Sequence, residues 1–363
     1  VRNLLTSLEY TIKENTPQNF VVTVAAENTD IHQAADLAEE VLRIDGLDKI
    51  DIPARLNISL NKSGATFDVR ALKERVAQYL AHAGLQEIVT NSITNDSYYP
   101  DHTQLVRLLN NLSSELNIMR PEMLESGLEV ILHNVNRKMP DLRLFEFGKT
   151  YRQIAVGDYA QKDLLSIWLS GNMQQQSWQH KAQKSDIYLL KGLIVNVFSL
   201  CGLHKIQESQ ERGTLFFKRG KTAIANLYKV PEDRLKRFNI KQDVFYAEID
   251  IKNLAEAVEK NKIKFQELPK YPAMKRDLAL VLSRDIVYEQ VAAIAQKQKW
   301  EALADFELFD VFEHEKLGSD KKSLALSFTF QLHDRTLTDE EVDHMMKHLI
   351  AEYEKELHAA IRS

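Results

Sequence analysis

Residues 323–332 read SLALSFTFQL, a polar–apolar alternation with a period of two. That pattern suits an extended strand with one buried face; here the core face falls on Leu324, Leu326, Phe328 and Phe330. Thr338 and, three residues on, Glu341 form the pair that closes a helix N-terminus reciprocally. Val342, Met345, Met346, Leu349, Ile350, Tyr353 and Leu357 then recur at helical spacing. Arg335 is expected to fix the turn before that helix. Further strands are expected at 277–283 and 306–312, a helix at 286–298 with Asp285 as its N-cap, and a last strand at 359–362. The order is βαββαβ, the ferredoxin-like plait, which alone assigns no function.

The 363 residues are enough for two or three domains with cores of their own. The spacing predicts a partial module over 1–60, with helices near 3–10 and 31–45, a strand-like run at 20–26, and Gly46 as a helix-ending glycine. Over 61–265 helices and strands alternate. Val69, Leu72, Val76, Tyr79 and Leu80 mark a helix, 87–94 reads as a strand, and Pro121 suits the first turn of the next helix. Strands follow at 142–147, 164–170, 214–217 and 244–249, with a helix at 187–200. Short connections are as common as helical ones, so a largely antiparallel α+β sheet is expected. The charged stretch 259–266 is the expected linker to a last domain over 270–363.

Composition excludes several classes. Twelve glycines and eight prolines are too few for a fibrous chain. No apolar run approaches the ~18 residues of a membrane span, and no signal peptide opens the sequence, so a cytoplasmic protein without membrane contact is expected. Cys201 is the single cysteine, which excludes an internal disulfide and a thiolate zinc cage; within VNVFSLCGL it reads as a buried core thiol. The chain starts at Val1 rather than Met, and reads as part of something longer. The formal charge is −5, and residues 270–363 carry all of it, with 13 basic and 18 acidic side chains. No stretch is basic enough to coat a polyanion, so any nucleic-acid contact must be local.

Enzyme signatures are missing: there is no glycine-rich phosphate loop, no G-x-S-x-G and no H-E-x-x-H. His344 and His348 lie four apart on a helix and read as a solvated flank. Metal-like spacing occurs once, in Asp30, Asp36, Glu39 and Glu40. The last three share a helix face and Asp30 lies just before the helix. Four carboxylates so close repel unless solvated or paired, and a hard cation such as Mg²⁺ would offset this. Solvated acids in the first turns of a helix are the alternative.

Residues 29–50, TDIHQAADLAEEVLRIDGLDKI, resemble the metal-binding, winged-helix-like module of the β subunit of bacterial phenylalanyl-tRNA synthetase. Glu39, Glu40, Arg43, Ile44 and Gly46 reproduce its E-E-x-x-R-I-x-G ending. Asn28 stands where that family has arginine, and Ala25-Ala26 where it has Pro-Ser. The resemblance places Asp30, Asp36, Glu39 and Glu40 on the Mg²⁺ ligands. Residues 119–151 and 186–198 are similar to the family's class II synthetase-like domain, which lacks catalytic motifs and packs on the catalytic α subunit. Phe145-Glu146-Phe147-Gly148 lacks the arginine of an adenylate site and reads as a strand ending at a turn glycine. FFKRGKT, residues 216–222, stands where the family has a hairpin. Residues 268–282 and 321–342, with the terminal IRS, resemble the ferredoxin-fold anticodon-binding domain. There Tyr271, Lys275 and Arg276 are the candidates for stacking and phosphate contact with tRNA-Phe.

The resemblance thus implies an inactive β-subunit portion of phenylalanine–tRNA ligase, an enzyme of two α and two β subunits that uses ATP, in α, and Mg²⁺. The competing expectation, supported by the negative last domain, is a non-catalytic assembly scaffold with no RNA contact.

Overall fold

The computed structural model describes residues 1–14, 19–53, 55, 67–100, 103–111, 113–204, 206–261, 265, 267–313, 318 and 320–361. Two compact units result, Val1–Glu74 and Arg75–Ser363.

In the first unit a short helix, Arg2–Ser7, leads into an antiparallel pair, Thr11–Glu14 with Phe20–Thr23. Leu5 and Tyr10 are buried here. The acidic helix spans Ala34–Asp45 and ends at Gly46, whose φ of 96° suits a residue without a Cβ. It begins three residues later than its apolar spacing suggests. The Asp36 carboxylate takes the backbone N–H groups of His32 and Gln33, so those residues form the entry to the helix. None of its residues is fully buried.

Two main sheets shape the second unit, beside a three-stranded sheet of Ile93–Thr94, Ile118–Met119 and Val106–Arg107 and a two-stranded one of Asn172–Gln174 with Gln183–Lys184. The larger has seven strands, side by side in the order Gln207–Glu211, Thr214–Arg219, Thr222–Lys229, Val244–Asp250, Asp158–Ser170, Leu142–Ala155 and Gln86–Glu87. Every pairing is antiparallel except the last. Residues 216–222, FFKRGKT, lie in a hairpin in which Thr214–Arg219 turns into Thr222–Lys229. Residues alternate across this sheet. Phe145, Leu165, Ile167, Ala225, Leu227, Ala247 and Ile249 are buried along one side, and the apolar helix Ile187–Leu200 runs alongside the same strands. Asp186 caps that helix by accepting from the Leu189 N–H, and its last turn leads to Cys201, a buried free thiol. Leu142, Leu144, Trp168, Tyr228 and Tyr246 share the other face, beneath the helix Leu124–Val135.

Three local expectations fail here. The run 87–94 is no single strand; it divides into Gln86–Glu87 and Ile93–Thr94, because Thr90 between them leaves the ladder to bond Glu146. Pro121 lies ahead of its helix, which starts at Leu124. Gly148 is no turn glycine: the strand runs through it to Ala155, and a Cβ there would meet Met123 and Arg120. The strand actually turns at Gly157, with φ of 81°.

The second sheet aligns Leu303–Phe312, Lys321–Phe330, Met274–Ser283 and Ala360–Ile361, all antiparallel, with helices Tyr288–Lys297 and Asp339–Leu357. This is the expected βαββαβ order. Leu324, Leu326, Phe328 and Phe330 face its core against Val342, Leu349 and Tyr353. Thr338 and Glu341 close the reciprocal cap, and Arg335 grips the Glu341 carboxylate with both guanidinium nitrogens, at 2.6 and 2.8 Å. That pair holds the Glu341 carboxyl down at about 2. Asp285 is not the N-cap of its helix; it takes the Ser283 hydroxyl, and Val287 occupies the cap. Residues 262–264 and 266 of the expected linker lie outside the described residues. Among the described residues, no helix is long and apolar enough to cross a membrane.

Candidate functional sites

Two of the four acidic residues near Gly46 have separate local duties. Asp36 serves the helix entry, and the two backbone N–H groups, His32 first, lower its pKa. Glu40 pairs with Arg43 at 2.6 Å, which lowers its pKa. Asp30 and Glu39 are exposed. Among the described residues, no group of three or more His, Cys, Asp or Glu side chains could hold a metal ion. The donors suit Mg²⁺ by chemistry, but as placed they do not form a group that fits it. Mg²⁺ titrated onto this chain alone is therefore expected to leave its thermal melting unchanged. A saturable rise, lost in Asp36→Asn, would show that the carboxylates reorganise around the ion.

Lys275 and Arg276 are adjacent on the strand Met274–Ser283 and so point to opposite faces. Arg276 shares the face of Leu278, Leu280 and Leu282 and bonds Asp339 and Asp343 of the long helix, which raise its pKa. Its charge is thus largely compensated within the protein. Lys275 is exposed and has no ion-pair partner among the described residues. The Tyr271 ring is exposed, while its carbonyl accepts from Gln331 at 2.6 Å. Lys275 and Arg276 therefore do not share one face of the sheet. His344 and His348 form no metal group; His348 lies edge-on to Trp300.

The polar centre of the large sheet escaped the sequence reading. Arg120 and Glu146 are almost fully buried and pair at 3.1 Å. Arg120 also donates to Thr90 Oγ1 at 2.7 Å and the Lys149 carbonyl at 2.9 Å, and the Thr90 hydroxyl donates to Glu146 at 2.7 Å. Such a pair survives burial because its hydrogen-bonding groups are satisfied. A signal was present: Glu146 shares the strand face of Leu142 and Leu144, where an acid demands a buried partner.

From Glu146 a row of polar side chains crosses the sheet. Glu146 lies opposite Ser166, Ser166 opposite Glu248, and Glu248 opposite Asn226. The Tyr246 hydroxyl donates to Glu248 at 2.6 Å and lies 3.1 Å from the Ser166 hydroxyl. Beyond the cover of helix Leu124–Val135 this face opens into a cleft of about 520 Å³. At its wall Arg234 bonds Glu122 at 2.7 Å and Glu125 at 2.6 Å. Burial acts against Arg234's charge, but Glu125 and Glu122 outweigh it and raise its pKa.

Glu125 is 2% exposed, and its second oxygen has no hydrogen-bond partner. Burial pushes its carboxyl up to about 7, against the pull of Arg234 and with the push of Glu122. In the unfolded chain it titrates near 4.5, so between these values the folded state holds the extra proton. The associated stability is fully present below the unfolded pKa and is lost as pH rises through about 7, a change of up to ~3 kcal/mol. Urea melts of the native chain and Glu125→Gln at about pH 5 and about pH 8 should show the native chain losing stability relative to the variant. Parallel profiles would show that Glu125 stays charged throughout.

Comparison with known proteins places the chain first among tRNA synthetases. Residues 1–47 match the tRNA synthetase B5 domain and residues 269–362 the ferredoxin-fold anticodon binding domain. Residues 52–251, more than half of the chain, match the phenylalanyl tRNA synthetase beta chain CLM domain. The chain belongs to the phenylalanyl-tRNA synthetase β-chain family. The phenylalanine–tRNA ligase β subunit of Bacteroides thetaiotaomicron is 34% identical over 100% of this chain and 47% of its own length. That of Porphyromonas gingivalis is 31% identical over the same shares, and that of Halalkalibacterium halodurans 27% identical over 97% and 45%. The chain thus spans about half the length of these curated relatives. A pyrrolysyl tRNA synthetase structure from Desulfitobacterium hafniense gives a TM-score of 0.43 at 19% identity, covering 53% of this chain and 67% of that one, too distant a likeness to argue from.

Proposed function

We propose that this chain acts as a non-catalytic β-subunit polypeptide of phenylalanine–tRNA ligase, supporting a catalytic α subunit and positioning tRNA-Phe. The observation that supports it is the succession of three matches, at 1–47, 52–251 and 269–362, in one chain. On this reading residues 1–60 form part of a winged-helix-like module, 61–265 a class II synthetase-like domain without catalysis, and 270–363 the anticodon-binding domain. ATP and Mg²⁺ belong to the whole, cytoplasmic enzyme of two α and two β subunits. Asp30, Asp36, Glu39 and Glu40 serve as Mg²⁺ ligands only if Asp36 and Glu40 exchange their present partners. Tyr271 and Lys275 are the free members of the tRNA set; Arg276 must leave Asp339 and Asp343 to join them.

The test is co-purification with a phenylalanyl-tRNA synthetase α subunit, followed by tRNA-Phe titration of the complex at several salt concentrations. Failure to associate with α overturns the reading. Lys275→Ala should weaken tRNA binding and lower the salt slope by about one. Unchanged affinity and slope in a Tyr271→Ala, Lys275→Ala double variant favours the scaffold alternative, for which the −5 balance of residues 270–363 speaks.

A further inference from the structure

We infer that the cleft on the polar face of the seven-stranded sheet binds a small zwitterion of the α-amino-acid class, its ammonium at Glu248 and its carboxylate at Lys162. The inference goes beyond the ligase-subunit reading and stands on the cleft alone.

Charge selects the ligand class. The lining carries Glu122, Glu248 and Asp250 against Arg152, Lys162 and Arg234. A polyanion would meet three carboxylates, and a polycation three cations. A neutral molecule bearing both signs meets no net repulsion and can use each pole.

Existing contacts then narrow the six. Glu122 and Arg234 satisfy each other at 2.7 Å. Asp250 caps the helix Ile251–Glu259 by accepting from the Asn253 N–H at 2.9 Å. Arg152 is turned toward Gln104 at 3.4 Å and Glu122 at 3.9 Å. Glu248 and Lys162 remain. Lys162 is exposed and has no ion-pair partner among the described residues. Glu248 is held in place by the Tyr246 hydroxyl and by Asn226, so its carboxylate is oriented before any ligand arrives, but it has no ion-pair partner among the described residues. Burial pushes the Glu248 pKa up, and Lys162 is near enough to oppose that shift. A ligand ammonium would offset the burial of Glu248, and a ligand carboxylate would occupy the unpaired Lys162, with charge-assisted hydrogen bonds at both poles. Phe216, Leu164 and Ile224 supply an apolar wall for a side chain. The volume of about 520 Å³ falls in the ordinary range for small-molecule sites. The neighbouring Arg120–Glu146 pair is closed on itself and offers no charge to a ligand.

The test is calorimetric and thermal-shift titration of the full chain with free L-amino acids, one at a time at millimolar concentration. The matching amines without a carboxylate, and acids without an amine, are run beside them. At least one amino acid should bind saturably, and both truncated analogues should bind ~tenfold or more weakly. Glu248→Gln and Lys162→Met should each weaken binding by a similar factor. Lys162 is exposed, so Lys162→Met should melt like the native chain without ligand, which separates lost binding from lost folding. No binding by any amino acid overturns the inference. So does affinity retained in either variant, or an analogue that binds as well as the amino acid.

Discussion

Arg120→Met is expected to destabilise the second unit by about 3–5 kcal/mol, the range for removing one partner of a buried ion pair. The loss is large because the Glu146 carboxyl would be stranded in a site closed to water, with only Thr90 left as a donor. The Thr90 hydroxyl and the Lys149 carbonyl would each lose a partner as well. Adding Glu146→Leu should recover most of the loss, since an apolar pair of similar volume carries no stranded charge. Urea denaturation of the native chain, the single variant and the double variant measures this. A single variant within about 1 kcal/mol of native would mean that water reaches Glu146 and that the centre is not the closed unit described.

Gly127→Ala is expected to cost about 3 kcal/mol, at the upper end for an overpacked core. Helix propensity makes the opposite prediction, a gain of up to ~1 kcal/mol for glycine to alanine within a helix. Packing decides the sign. Gly127 sits in the helix Leu124–Val135 directly over the Trp168 indole, and a Cβ would collide with three of its ring atoms. Trp168 is fully buried, packs at a tilt against Tyr246 and donates its N–H to the Leu124 carbonyl, so it has nowhere to retreat. Chemical denaturation again gives the answer, and a stabilised variant would refute the packing argument.

The two ends of the second unit differ in how far local pattern carried. In residues 270–363 the alternation of 323–332, the Thr338–Glu341 cap and the apolar stripe of the last helix all favour the same structure, and the plait follows from them. In the large sheet the decisive contacts join residues far apart in the chain. Thr90, Arg120 and Glu146 are drawn into one centre from three segments, and no local window contains two of them. The same centre explains both misread strands: it interrupts 87–94 at Thr90, and it requires Gly148 to be bare where Arg120 passes. The cleft is assembled from five strands and had no signature at all. The acidic quartet shows the complementary limit. Spacing identified neighbours, but the hydrogen bonds of Asp36 and the ion pair of Glu40 depend on where the helix starts and which way Arg43 turns.

The hairpin formed by Leu142–Ala155 and Asp158–Ser170 has a consequence for the order of folding. Its strands are joined by a two-residue turn at Val156 and Gly157, so pairing starts with the smallest loop-closure cost available to an antiparallel sheet. The other members of its polar face come from farther away. Tyr246 reaches Ser166 across 80 residues, and Thr90 reaches Glu146 across 56. The ladder can therefore exist before the buried centre does, with Glu146 hydrated on an open face until Arg120 arrives. Sealing that acid is therefore expected to come after the ladder has paired, locking it into the native state.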